Sequence, residues 1–523
     1  MPVPTQTAAA VPSSAELART LDEFFAEHPR AAVFEDGRLL FDLQSANYSV
    51  AADHGRCLLH LWSGERNAVR TVTSIDQRRG ALRLETRRFG QSRAQRLTLT
   101  ANPDFRAPSA RDSSRRRFLR TMQQALTARF PEWTAESFHF AMDLEHSFGP
   151  AYARGILTRG QSAWAVLGAG PDESPAVIEG AITLGVLWLA RCREQSDGRR
   201  FFQGLRLVLP EGHSSIARAR MSWLNPGAAQ WELYELNART GELTQSPSDH
   251  DGNLQVELNH AFDPQAALER ASVAIETLRA LLPAGLADRT EIRPRSATEI
   301  AFSLHGLDYA RIRHGVTPGS FARRNQIVFG AGPNETVLDE DTEDLFRDLV
   351  DRLLQSRAAS APGRDALYRL QPERWLESVL RRDLAALDPM LGGGPVYSQV
   401  PALASANRTL LDLLTVTRHG RLAVLELKAD DDLHLPLQAL DYWARVRQLH
   451  RDGLLQRHGY FPGIELSADD PLLLLVAPAL HIHPANETVL RHLSPSVPWE
   501  LVALSEHWRE HIRVVLRKRS ETS

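Results

Sequence analysis

The chain has 523 residues, 43% hydrophobic and 24% charged, an ordinary soluble globular composition with room for about three cores at the usual domain size. Its formal net charge is −3 at pH 7, which excludes a general polycation, so any nucleic-acid surface has to be local. Two cysteines, Cys57 and Cys192, exclude a Cys-rich zinc site and a disulfide framework, and read as buried free thiols in a reducing cytoplasm.

Residues 1–14 are rich in Pro, Ala, Ser and Thr and read as disordered, without the basic patch and apolar stretch of a secretory signal. No run approaches the roughly 18 apolar residues that a membrane span takes, and no membrane association is expected. Residues 15–130 read as a β-rich N-terminal domain: a short helix near Glu16–His28, then β-like runs from Ala31 to Thr100, with turn signals such as Asp36-Gly37. A basic amphipathic helix follows from Arg111 to Phe130, carrying Arg115, Arg116, Arg117 and Arg120 among Phe118, Leu119, Met122 and Leu126. Clustered guanidiniums beside an aromatic grip phosphates and stack on bases, so these four arginines are candidate nucleic-acid contacts; the commoner explanation is a charged helix face.

Residues 131–350 read as mixed α/β. The apolar patch Ala181–Ala190 suits a buried element, Met221–Leu258 is β-rich, and Ala266–Leu282 and Glu343–Leu354 are helical. Asp143-Leu144-Glu145-His146 reads as a turn with solvated charges. Gly330-Ala331-Gly332 lacks the setting and the lysine of a phosphate loop. Arg311, Arg313, His314, Arg323 and Arg324 form a second basic run. The small-residue stretch 355–364 reads as a linker, and no repeat of fixed period occurs.

From 365 to 523 the predicted order is α-β-β-α-β-α-β, which implies a mixed sheet flanked by helices. Pro372 opens a helix running to Leu387 with Glu377 beside its apolar stripe, Thr409–Thr417 is a strand carrying Asp412, and His419-Gly420 turns the chain into Arg421–Lys428. A helix at Leu435–Leu449, a strand at Leu472–Ala477, a helix at Asn486–Leu493 and a strand at Trp499–Leu504 complete it. Glu426 and Lys428 are two apart on a strand and leave the same face, and the hairpin brings Asp412 alongside. Two carboxylates in an apolar setting are costly without a cation, and Mg²⁺ suits a few carboxylate oxygens with retained waters. The chain has two lysines, Lys428 and Lys518, against 59 arginines, a bias a GC-rich bacterial genome would give. A lysine kept at 428 suggests a compact, movable charge whose pKa can shift, which arginine does not supply.

Leu411-Asp412 followed by Glu426-Leu427-Lys428 resembles the PD-(D/E)xK nuclease superfamily, with a leucine where the motif has proline. Gln438 and Tyr442, i and i+4 on the next helix, resemble the QxxxY motif of its RecB-like branch, and Glu377 resembles the acidic residue of the fold's first helix. Without four cysteines, the iron–sulfur cluster of some members of that branch is excluded. The resemblance covers about 365–517 and implies a restriction-endonuclease-like α/β domain preceded by an α+β region. It implies Mg²⁺, for which Mn²⁺ can substitute, held by Asp412, Glu426 and the Leu427 carbonyl. Lys428 would orient or activate water, with Gln438 and Tyr442 positioning water or the scissile strand and Glu377 supporting them. The expected activity is phosphodiester hydrolysis in nucleic acid, DNA by default. The region before 350 is expected to bind nucleic acid or a protein partner, and a homodimer is an expected assembly because relatives that cut both strands often dimerise. The alternative is a scaffold or nucleic-acid-binding protein whose nuclease-like domain is retained without turnover; the intact Asp412, Glu426 and Lys428 set argues against it.

Overall fold

A computed structural model describes residues 13–520 apart from 30, 36–37, 44–45, 54, 63–66, 79, 88–93, 102–107, 144–145, 247–256, 259–261, 317–322, 332–334, 360, 362–364, 401 and 404–410. The linear succession of domains expected from the sequence is replaced by two interleaved units. One draws on Met1–Ala181, Ser196–Ser214 and Glu232–Ser246, the other on Ile182–Gln195, Ser215–Trp231 and Pro247–Ser523.

The first unit holds two sheets. Seven antiparallel strands between Ala32 and Thr100 form one, with the capped helix Ser14–Glu27 packing Leu21 and Phe25 against Leu59 and Leu82. The other has six strands between Thr134 and Ser246. Its parallel pair, Ser162–Ala169 and Phe201–Pro210, is joined through the helix Pro175–Ser196. That helix is long and apolar enough to cross a membrane by length and composition, and 61% of its most apolar window is buried. The basic helix Pro108–Arg129 packs Phe118, Met122 and Leu126 in one core with Trp133, Leu157 and Trp164 at the six-stranded sheet. Its apolar stripe finds those large aromatics, which lie beyond 130 in the chain.

Among the described residues the second unit has three sheets, the smallest the pair Glu257–Leu258 and Ala402–Leu403. Five strands between Thr290 and Val337 are covered by the helices Ser272–Ala280 and Glu343–Ser356 around Phe302, Tyr309 and Phe346. Within the segment read as a linker, Arg357 is fully buried. Its guanidinium donates to the carbonyls of Leu304, His305, Leu367 and Leu370, so the chain is clamped here between the five-stranded sheet and the C-terminal segment.

The last sheet has six strands, ordered Tyr397–Val400, Leu411–Val416, Leu422–Leu427, Leu472–Pro478, Trp499–Leu504, Val514–Arg519. The three central strands from Leu422–Leu427 to Trp499–Leu504 are parallel, and the flanking pairs are antiparallel. The first and last strands are additions to the predicted order. The helix expected to reach Leu387 stops at Arg382, because Asp383 leaves helical geometry and its carboxylate caps a short 3₁₀ turn at the Ala386 N–H. Leu425 and Leu427 share a core with Trp375, Leu376, Leu474 and Val476. Glu426 and Lys428, of opposite parity, leave the other face of the sheet.

The hairpin that aligns Asp412 with Glu426 turns at Gly420, as the sequence suggested. Its φ is +79°, and a Cβ there would lie 2.2 Å from the carbonyl oxygen of Glu465. Gly420→Ala should destabilise the unit by on the order of 2–3 kcal/mol in denaturant titrations. Gly463→Ala, with φ +73° but open space around it, should cost about 1 kcal/mol. Equal costs would mean that close approach to Glu465 does not constrain the turn.

Candidate active site

The hairpin ladder pairs Leu413 with Leu425 and goes no further toward Asp412. One step on, a side chain takes over: the Asp412 carboxylate accepts the Leu427 N–H at 2.9 Å. This holds Asp412 beside Glu426, whose side chain is 3% exposed as a residue and surrounded by the Leu-rich strands. Oε2 of Glu426 has no hydrogen-bond partner. Burial pushes the Asp412 carboxyl up to about 6, and Glu377 pushes the same way against the Leu427 bond and Lys428. Burial and then the Asp412 charge drive Glu426 well above the ordinary carboxylate range.

Lys428 is the cation among these acids. Its Nζ lies 3.5 Å from Glu426 Oε1, 3.6 Å from Glu373 Oε1 and 3.8 Å from Asp432 Oδ2. Burial works to lower its pKa, but Glu426, Glu373, Asp432 and Asp412 outweigh burial and leave it raised. The neighbouring acids thus favour the ammonium form of Lys428.

Tyr442 and Gln438 lie half-buried on the helix Leu435–Arg451. Burial raises the Tyr442 phenol, and the fields of Glu426, Asp412 and Asp441 raise it further, which puts the ring within electrostatic reach of the acid pair. The helix is fixed by Trp443, packed edge-on against Trp223 at 5.0 Å, and by Arg220, which grips Asp441 with Nε at 3.1 Å and Nη2 at 2.7 Å. His434 at its start meets Thr183 Oγ1 at 3.1 Å.

Glu377 is buried as well, but its two oxygens are held by guanidiniums. Arg374 Nη1 is 3.2 Å from Oε2, and Arg293 Nη1 is 3.8 Å from Oε1. Glu377 is thus an anchored carboxylate whose field reaches Asp412. Among the described residues no group of three or more His, Cys, Asp or Glu side chains could hold a metal. A cation here would take Asp412, Glu426 and the Leu427 carbonyl and complete its shell with water, a donor set that suits Mg²⁺. The unpartnered Glu426 Oε2 leaves one carboxylate oxygen open to such a cation.

Sequence reasoning missed Glu373, Asp432, Arg374 and Arg293. Glu373 stands four residues before Glu377, and Asp432 four after Lys428, so spacing could have found both; Arg293 had no such signal. The nucleic-acid candidates fare differently. Arg115 is tied to Glu173 by two bonds, Nε to Oε1 at 2.6 Å and Nη2 to Oε2 at 3.2 Å. Arg116 and Arg120 are exposed and Arg117 is half-buried. Of the second basic run, Arg311 and Arg313 are held by Glu299 and Glu335. Asp143 and His146 pair with each other in a turn, and His481 and His483 lie outside the acid cluster, His481 3.8 Å from Glu506. Cys57 and Cys192 are buried free thiols.

No protein-family model matches the chain, and no characterised protein or solved structure does either.

The shifted acids give the metal-free protein a definite pH dependence. An acid that is harder to ionise when folded keeps its proton longer in the folded chain, so stability falls as pH rises from the ordinary carboxylate range through about 6 for Asp412, and further for Glu426. In EDTA, wild-type Tm should therefore decline from about pH 5 to pH 8 more steeply than that of Glu426→Gln, which should be the more stable protein at pH 8 by several degrees. Parallel Tm profiles would show that the pair carries no such strain.

Proposed function

We propose that the protein is a divalent-metal-dependent phosphodiester hydrolase acting on nucleic acid, with Asp412, Glu426 and Lys428 at its centre. The observation that carries this reading is the Glu426 carboxylate, buried with an unpartnered oxygen beside a second high-pKa acid and one of the chain's two lysines. A structural ion pair would need one acid, not two, and would close the hydrogen bonds of both partners. The resemblance of the Asp412, Glu426-Leu427-Lys428, Gln438 and Tyr442 pattern to PD-(D/E)xK nucleases supports the same chemistry.

Asp412, Glu426 and the Leu427 carbonyl would hold Mg²⁺ or Mn²⁺. When bound, the cation would supply charge to offset the phosphoryl transition state and acidity to a neighbouring water. Lys428 Nζ, kept protonated, would orient the attacking water and donate to the developing negative charge. Asp412 is held beside Glu426 by the bond that its Oδ2 accepts from the Leu427 N–H. Tyr442 and Gln438, on one face of their helix, would border the water or the scissile strand. DNA is the first substrate to try, with RNA as the comparison.

The test is cleavage of plasmid, single-stranded DNA and RNA with Mg²⁺ or Mn²⁺. Lys428→Ala and Lys428→Arg should each lower the rate on the order of 10²–10³-fold, since arginine cannot supply a compact movable donor. Independently of turnover, Mn²⁺ should raise the Tm of the wild type and not that of Glu426→Gln. Cleavage that persists in Lys428→Ala would place the activity elsewhere. Binding without cleavage of any substrate would leave the non-turnover scaffold.

A further inference from the structure

A pair of buried acids repels a polyanion, and a chain of net charge −3 offers no general attraction, so a strand entering the site needs local positive charge. The strand Thr290–Ser296 and the helix Pro372–Arg382 supply it. Arg293 and Arg374 share the Glu377 carboxylate, and Arg381 and Arg382 share Glu291. Four guanidiniums thus meet two carboxylates. Glu377 links this cluster to the acid pair, since it is bonded to Arg374 and its field acts on Asp412.

The cluster is not spent on packing alone. Arg374 is 34% and Arg382 47% exposed as side chains, while Arg293 and Arg381 sit behind them at 21% and 22%. Burying like charges together is unfavourable unless anions compensate, and two carboxylates compensate half of the four. Arg293 also bonds the Ser398 hydroxyl of the edge strand Tyr397–Val400, so the cluster reaches the sheet that carries Asp412. A planar guanidinium fork fits phosphate oxygens in pairs, and a row of such forks beside a hydrolytic centre fits successive phosphates of one strand.

We propose that Arg293, Arg374, Arg381 and Arg382 form the binding surface for the phosphodiester backbone of the nucleic-acid strand presented to Asp412 and Glu426. The surface rests on the function proposed above. It also makes the five-stranded sheet, which lies outside the region of family resemblance, part of the substrate site. Phosphate contacts of this kind hold register and affinity and do not read sequence.

The experiment measures binding of labelled single-stranded DNA, duplex DNA and single-stranded RNA to the full chain by fluorescence anisotropy in EDTA, so that affinity is read without turnover. Arg374→Ala/Arg382→Ala should weaken the preferred ligand about tenfold or more and lower the slope of log K against log salt by about two. Arg382→Gln alone, the substitution least disturbing to folding, should weaken it several-fold and lower the slope by about one. Unchanged affinity and slope in both folded variants, or no binding by the wild type, would overturn the surface. Loss of binding in the variants, with no Mg²⁺-dependent cleavage by the wild type, would support the surface and reject the hydrolase. Normal cleavage with unaltered binding in the variants would reject the surface and leave the hydrolase standing.

Discussion

The second unit is organised around the cost of placing two carboxylates together in an apolar setting. Nothing in the leucine-rich strand Leu422–Leu427 solvates Glu426, and the carboxylate that arrives from the neighbouring strand makes its ionisation harder. Folding tolerates this because the surrounding structure is over-determined. The parallel strands fix the Glu426 backbone from one side, and the Leu427 N–H fixes Asp412 from the other. Two carboxylates held together in this way are destabilised as charges, and such placement is more often found at functional sites than in ordinary cores.

The tight hairpin and its period-2 alternation were legible in the residues themselves. Glu426 and Lys428 had to share a face, and His419-Gly420 had to bring Asp412 to them. The helix–strand order after 365 was equally readable, because Leu472–Pro478 and Trp499–Leu504 are apolar runs bounded by turns. The edge strand Val514–Arg519 was not, since Val515 and Leu516 are about half exposed and the run mixes valine with arginine and lysine. The strands from Thr290 to Val337 were missed for another reason. Arg311 and Arg313 read as a basic patch, whereas they form ion pairs with Glu299 on the neighbouring strand and with Glu335 just before the strand Thr336–Val337. Cross-strand charge pairing of this kind is invisible until the register is known.

Partners distant in sequence account for the rest of what was missed. Arg220 reaches Asp441 across more than two hundred residues, and the interleaving of 182–195 and 215–231 with the C-terminal segment follows from contacts of that kind. A segment boundary drawn from small residues at 355–364 took flexible composition as separation. The buried Arg357 within it shows why that fails: one guanidinium satisfies four carbonyls from two sides of the boundary and makes the join rigid.

Arginine does nearly all the cationic work in this protein, and does it as a fork: four carbonyls at Arg357, both oxygens of Asp441 at Arg220, both oxygens of Glu173 at Arg115. Each of these forks is closed by short, directional bonds. Lys428 is different in kind. Its three carboxylates stand at 3.5, 3.6 and 3.8 Å, so the ammonium is attracted by all three and hydrogen-bonds Glu426 only at long reach. A guanidinium in the same place would close onto Glu426 or Glu373 and lock. An ammonium keeps donors for a water or a phosphoryl oxygen, with the charge already balanced around it. That is why a chain that uses arginine almost everywhere else is expected to depend on lysine here.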